Sequence, residues 1–259
     1  MNGFRILLGK ELLESWRTFR LPVVLGLFVF TGLTSPLIAR FLPEIFELAG
    51  GGQFGSIELP TPTTADAIDQ LVKNLAQFGA LSAILLAMGL VASEKDRGTA
   101  AFLLAKPVGR GAFLAAKLVA VGVVLALSTI VAVAVGWIYT AILFEPLAPG
   151  GWLALAVLIW LALFAYAALT FLGSVLTGSA AAAAGIGFVA LLVLGIVSAL
   201  PNVGRFVPTG LLEPAGALAA GSATVTGLGA DLLVPIGSTL VLIALTVGVA
   251  AWSFARQEL

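Results

Sequence analysis

The stretch Glu94-Lys95-Asp96-Arg97-Gly98-Thr99, continued through Lys106-Pro107-Val108-Gly109-Arg110 to Lys117, lies between two long apolar runs. It holds seven charged residues in a chain with only 13 Lys+Arg and 13 Asp+Glu among 259 residues. From Lys117 to Arg205 there is one further charge, Glu145. A chain this poor in charge gathers it in one loop only if that loop stays in water. Residues 94–117 therefore read as an aqueous loop between two membrane segments, and as a candidate docking surface for a soluble partner.

Composition supports the membrane on either side. Hydrophobic residues make up 60% of the chain and charged residues 10%, with a mean hydropathy of +1.13. A soluble domain carries about 25% charged residues. Six apolar segments come close to the roughly 20 residues that span a bilayer as a helix. They are 21–39, 75–93, 118–144, 152–176, 180–200 and 234–255. The expected fold class is an all-α membrane protein, one transmembrane domain over 1–259. The first segment lacks a small-x-small cleavage site and does not read as a signal peptide. With no cysteine and no histidine, disulfides, thiolates, imidazole metal ligands and imidazole acid–base catalysis are excluded. No basic–aromatic surface for nucleic acid is present.

Cation placement sets the orientation. Six spans put both termini on one side. That side carries Arg5, Lys10, Arg17, Arg20, Lys95, Arg97, Lys106, Arg110, Lys117 and Arg256; the other carries Arg40, Lys73 and Arg205. The termini and the charged loop are expected in the cytoplasm, and the chain in the cytoplasmic membrane.

Residues 4–20 predict an amphipathic helix lying in the membrane interface. Phe4, Leu8, Leu12, Trp16 and Phe19 share one arc; Lys10, Glu11, Glu14, Arg17 and Thr18 share the opposite one. Lys10/Glu14 and Glu14/Arg17 are spaced for side-chain pairs. Thr34-Ser35-Pro36 predicts a kink near the outer end of the first span. Residues 41–74 form an outer loop, helical from about Asp66. Thr177-Gly178-Ser179 is so short that spans four and five must form a hairpin, and its small residues allow close approach. Residues 201–233 are too apolar for a water-exposed loop and too broken for a span. Short helices dipping back into the outer leaflet satisfy both facts.

Within the charged loop, Thr99 can cap a short helix over 100–105. Pro107 ends it, Gly109 allows a turn, and Arg110 opens the next helix. Phe102, Leu103 and Leu104 give that short helix an apolar face bracketed by charge, suited to a partner's groove. From composition alone, a positive inner loop that merely obeys the topology rule accounts for it equally well.

The run from Glu94 to Lys117 resembles the signature after the second span of type-2 ABC-transporter permeases. That pattern is E-x-E/D-x-G-T, an apolar L-L, then S/A-K/R-P-V/I-S/T-R and a later lysine. Gly109 departs from it, since a Ser or Thr usually stands there. Lys10-Glu11 resembles the opening of the family's elbow helix, and the likeness extends over the whole architecture. The resemblance implies a permease subunit with an elbow helix at 4–20, a cytosolic coupling helix between spans two and three, and re-entrant helices in 201–233. It implies a docking site for a separate ATPase at Glu94, Arg97, Gly98, Thr99, Phe102, Leu103, Lys106, Pro107 and Arg110. Lys10, Glu11, Glu14, Trp16 and Arg17 would belong to the elbow helix. Two permease copies, identical or closely related, would join two ATPases, with membrane lipid around them and an accessory extracytoplasmic protein as a further partner. ATP and magnesium would be bound by the ATPase, and this chain would bind no cofactor itself.

The missing motifs point the same way. There is no G-x-x-x-x-G-K-[ST], so the chain cannot cradle ATP phosphates itself. The predicted spans carry no ionisable residue in their central portions, which disfavours an ion channel or an ion-coupled carrier. An intramembrane enzyme would need Ser/Lys or paired carboxylates at membrane depth, and every lysine and carboxylate reads as aqueous or interfacial. The chain is therefore not expected to be an enzyme. Few polar residues could line a path: Thr31, Thr34, Ser35, Ser82, Ser128, Thr129, Tyr166, Thr170 and Ser198. Each is as readily bonded to its own helix.

Overall fold

A computed structural model describes residues 2–48, 61–99, 109–145 and 147–257. The expected short helix at 100–105, with Phe102, Leu103, Lys106 and Pro107, lies outside the described residues.

The chain is all-helical in these parts. Helix α1 is Asn2–Arg17, α2 Arg20–Leu48, α3 Thr64–Ala87, α4 Ala92–Asp96, α5 Arg110–Leu143, α6 Pro149–Leu176 and α7 Ala180–Ser198. Two 3₁₀ turns, Gly204–Phe206 and Pro208–Leu211, lead into α8 Leu212–Ala219, α9 Val225–Leu228 and α10 Ala230–Ala255. Among the described residues, six helices are long and apolar enough to cross a membrane: α2, α3 continued through α4, α5, α6, α7 and α10.

Local chemistry explains the boundaries. Phe19 takes a positive φ of 59° between α1 and α2, a conformation uncommon for a bulky residue, and turns the chain into the bundle. Helix α3 starts at a capping box in which Asp66 N donates to Thr63 Oγ1 at 3.4 Å and Thr63 N donates to Asp66 Oδ2 at 2.8 Å. Two orphan donors are satisfied at once. Pro149 opens α6, where its missing N–H costs nothing.

The helices run longer than the apolar segments alone indicate. Helix α2 continues past residue 39 to Leu48 with Pro36 and Pro43 inside it, so residues 41–48, expected in an outer loop, are helical. Helix α5 has 34 residues, roughly 51 Å at 1.5 Å per residue, well beyond a hydrocarbon core of about 30 Å. Polar ends extend a helix beyond the lipid because its backbone bonds are internal wherever it lies.

Helix α6 is the hub. In its most apolar stretch 72% of residues are buried against protein, compared with 11% in α7. Around α6 pack Leu71 and Leu75 of α3, Val124 and Leu125 of α5, Leu211 and Ala215 beside α8, and Phe254 of α10. Helix α7 turns Val189, Leu192, Val193 and Ile196 outward, as a lipid-facing helix does. The α6–α7 hairpin is tight where a glycine allows it: a Cβ on Gly187 would stand 2.3 Å from Thr170 Oγ1.

Most hydroxyls considered as path-lining are spent on their own helices. Thr31, Thr34, Ser35, Ser82, Thr170 and Ser198 each donate to a carbonyl three or four residues back. Ser128, Thr129 and Tyr166 are buried without a hydrogen-bond partner among the described residues.

Candidate functional site

The charged residues of the loop and of α1 meet at the end of the bundle that carries both termini. Lys117 stands two turns into α5 and is 3% exposed. Its Nζ donates to Glu94 Oε1 at 2.7 Å and to Glu11 Oε1 at 3.0 Å. The ammonium also lies 5.1 Å from the Phe113 ring centroid. Lys10 Nζ lies 3.1 Å from Glu11 Oε1, 3.0 Å from Glu14 Oε2 and 3.6 Å from Glu94 Oε1. Five ionised side chains from α1, α4 and α5 thus form one network. Taking a lysine out of water costs several kcal/mol unless it is paired and bonded, and the two carboxylates supply the pairing.

This placement corrects two readings. Lys117 and Glu94, expected in water, point into the bundle. Glu11, assigned to the solvent arc of α1, is 8% exposed. Burial on α1 does not follow the two arcs: Phe4, Leu8, Leu12 and Glu14 are half-buried, and Glu11 is buried. Trp16, at 60% exposed, and Ile6, Leu13 and Phe19 face outward, while the acidic side meets Lys117. Glu14 pairs with Lys10 as spaced; among the described residues it makes no ion pair with the exposed Arg17.

The electrostatics of α1 follow from these contacts. Burial alone would push the Lys10 ammonium down, but the charge of Glu11 and the bond to Glu14 outweigh it and hold the group above its ordinary value. Burial alone would push the Glu14 carboxyl up, but the hydrogen bond and charge of Lys10 hold it below its ordinary value.

The root of the loop is fixed by a second device. Helices α3 and α4 are separated by a break at Met88–Val91, where two amides leave the helical ladder. Val91 N and Ala92 N both donate to Ser174 Oγ of α6, each at 3.0 Å. A hydroxyl inserted into the ladder is a recognised cause of a helix break. Lys95 Nζ donates to the Val175 carbonyl, as does Gln257 Nε2 at 3.1 Å. Gly98 has φ +66°, a left-handed conformation that glycine adopts freely, and Thr99 Oγ1 donates to Glu94 O at 3.2 Å. Arg97, Gly98 and Thr99 are exposed.

Arg110 opens α5 as expected, and its guanidinium caps α10. It donates to the carbonyls of Phe254, Ala255 and Gln257 at 3.3, 2.8 and 3.1 Å. A cation on the last carbonyls of a helix also meets the negative end of its dipole. The loop is thus held by α1, α5, α6 and α10 together. A cavity of about 340 Å³ lies beside the network, lined among others by Arg20, Ser93 and Arg97. Ser174 and Lys95 were not singled out as site residues. The small-residue run at the α6–α7 turn did point to close packing at Ser174.

The described residues thus form an all-helical bundle with six helices able to span a membrane and a charged loop rooted at one end. The chain belongs to the ABC-2 transporter family, whose model matches residues 7–259. It is also similar to a protein of Bacillus subtilis (strain 168) described as the uncharacterized transmembrane protein YxlG. The two are 28% identical over 222 residues, covering 83% of this chain and 84% of that protein. The chain is accordingly a multi-pass membrane protein of a family of transporter membrane subunits.

Proposed function

We propose that this chain is the permease subunit of an ATP-driven exporter and that a separate ATPase drives it by docking on residues 94–110. The observation that carries this reading is the junction of Glu94, Lys117 and Glu11. It ties the root of the exposed loop to α1 and α5 through a buried lysine. A displacement imposed on the loop is passed to those helices, because packed interiors move as units. ATP and its magnesium are bound by the partner. The termini and loop face the cytoplasm, and two permease copies complete the transporter. An ion-coupled carrier is less well supported. Among the described residues, no Asp, Glu, Lys or Arg lies in the middle of a spanning helix, where a driving ion is normally bound.

The test is co-expression with the partner ATPase, purification and reconstitution into liposomes. The complex should co-purify, and Phe102→Asp or deletion of residues 100–106 should abolish the association. Association that survives both changes, or solute flux through the chain alone without ATP, would overturn the reading.

A further inference from the structure

At the opposite end of the bundle from the ion network, the 3₁₀ turns and α8–α10 border an open-sided cavity of about 780 Å³, within the range of roughly 300–1,000 Å³ typical of ligand pockets. Arg205, Glu213 and Asp231 line it together with the apolar Leu200 and Leu228. The cavity is built on a packed base. Val207, Pro208, Leu211, Ala215 and Leu218 are buried, and a Cβ on Gly151 of α6 would stand 2.0 Å from Leu218 O. Helix α8 therefore sits on the start of α6 with no space between them.

Glu213 and Asp231 stand in the first turns of α8 and α10, where a carboxylate meets the positive end of the helix dipole. Neither carboxylate, nor Arg205, meets an opposite charge within 4.0 Å among the described residues. The Arg205 guanidinium lies over the Phe206 ring at 5.1 Å. Thr209, also lining the cavity, has a buried hydroxyl without a partner. In a chain this poor in charge, one cation and two carboxylates around a single cavity match a ligand bearing both signs. A simple anion would meet two carboxylates, and a simple cation would leave Arg205 unpaired.

We propose that this cavity binds an amphipathic zwitterion, with its anionic group at Arg205, its ammonium at Glu213 and Asp231, and its apolar part along Leu200 and Leu228. Charge-assisted bonds of this kind are about twice as strong as neutral ones, and Leu200 and Leu228 in the lining favour a ligand with hydrocarbon attached. An aminophospholipid headgroup and a free phosphoethanolamine share this chemistry. The proposal does not depend on the ATPase reading, since binding is measured on the chain alone.

The test titrates the purified full chain in detergent with short-chain phosphatidylethanolamine, matched phosphatidylglycerol and O-phosphoethanolamine, read by native mass spectrometry. One phosphatidylethanolamine per chain should be retained, about tenfold more tightly than phosphatidylglycerol. Arg205→Gln should weaken that retention about tenfold. Glu213→Gln with Asp231→Asn should weaken it and erase the preference over phosphatidylglycerol. Competition by O-phosphoethanolamine at equal concentration assigns the site to the free zwitterion, and failure to compete assigns it to the lipid; both keep the proposal. The three charged residues are exposed, so the variants should elute as the parent does on size exclusion, and Thr209→Val adds a probe that keeps all charges. Equal retention of the two lipids by the parent chain, or unchanged retention in both charge variants, would overturn it.

Discussion

Lys117 Nζ lies 2.7 Å from Glu94 Oε1, joining the second turn of α5 to the root of the exposed loop. The same ammonium reaches Glu11 of α1 at 3.0 Å. One buried cation thus holds three elements whose sequence positions are far apart.

Removing that cation leaves Glu11 and Glu94 only the half-exposed Lys10, 3.1 and 3.6 Å away. Lys117→Met should destabilise the junction by about 3–5 kcal/mol, the usual cost of breaking a buried pair from one side. Lys117→Arg keeps the charge and should cost less. In a double-mutant cycle with Glu94→Gln, thermal melts in detergent should show non-additivity of about 0.5–3 kcal/mol. Additive losses would mean that the two side chains do not act together.

The pH response of α1 follows from Lys10 and Glu14. Glu14 is held below its ordinary 4.5, so its contribution is present above that value and lost as pH falls through its lowered native value. Lys10 is held above its ordinary 10.5, so its contribution is complete below that value and lost as pH rises through its raised native one. The stability difference between the parent and Lys10→Met should be flat from about pH 5 to 10 and shrink outside that window. A difference that changes steadily across neutral pH would contradict this assignment.

Ser174→Ala removes the acceptor for two buried amides. Each unmet donor costs about 1–3 kcal/mol. Hydrogen exchange at Val91 and Ala92 should accelerate, while amides in the middle of α6 stay protected. Unchanged exchange at both residues would show that the break closes without the hydroxyl.

Gly187→Val puts a Cβ 2.3 Å from Thr170 Oγ1 and 3.1 Å from Ile84 Cγ2. Overpacking of this kind costs about 1–3 kcal/mol, and a lower melting temperature is expected. Gly185→Val, where a Cβ meets nothing within 4 Å, serves as the control and should be near neutral.

Arg110→Gln should fray the end of α10. Its guanidinium serves the carbonyls of Phe254, Ala255 and Gln257, a capping interaction of about 0.3–1 kcal/mol before any bonding specific to this site. Faster exchange confined to the last turn of α10 would show it.

The spanning helices were legible because hydropathy acts locally: about 20 apolar residues in lipid must form a helix whatever lies beside them. The start of α3 was equally local, as Thr63 and Asp66 cap each other three residues apart. The hairpin at Thr177–Ser179 followed from chain length alone. Helix length was underestimated at Arg40–Leu48, where polar residues end the apolar signal but leave the backbone ladder intact.

By itself the sequence determined an all-helical membrane bundle with six spans, one charged loop and no nucleotide motif of its own. These depend on composition and spacing within a single segment. Only the tertiary structure decided where the loop's charges go. It turned Lys117 inward onto Glu94 and Glu11, spent Ser174 on the broken helix and set Arg110 on the end of α10. A charge in a polar stretch is equally at home in water or in a buried pair. The choice rests on whether folding brings an opposite charge within reach, and here the partners lie 23 and 106 residues away.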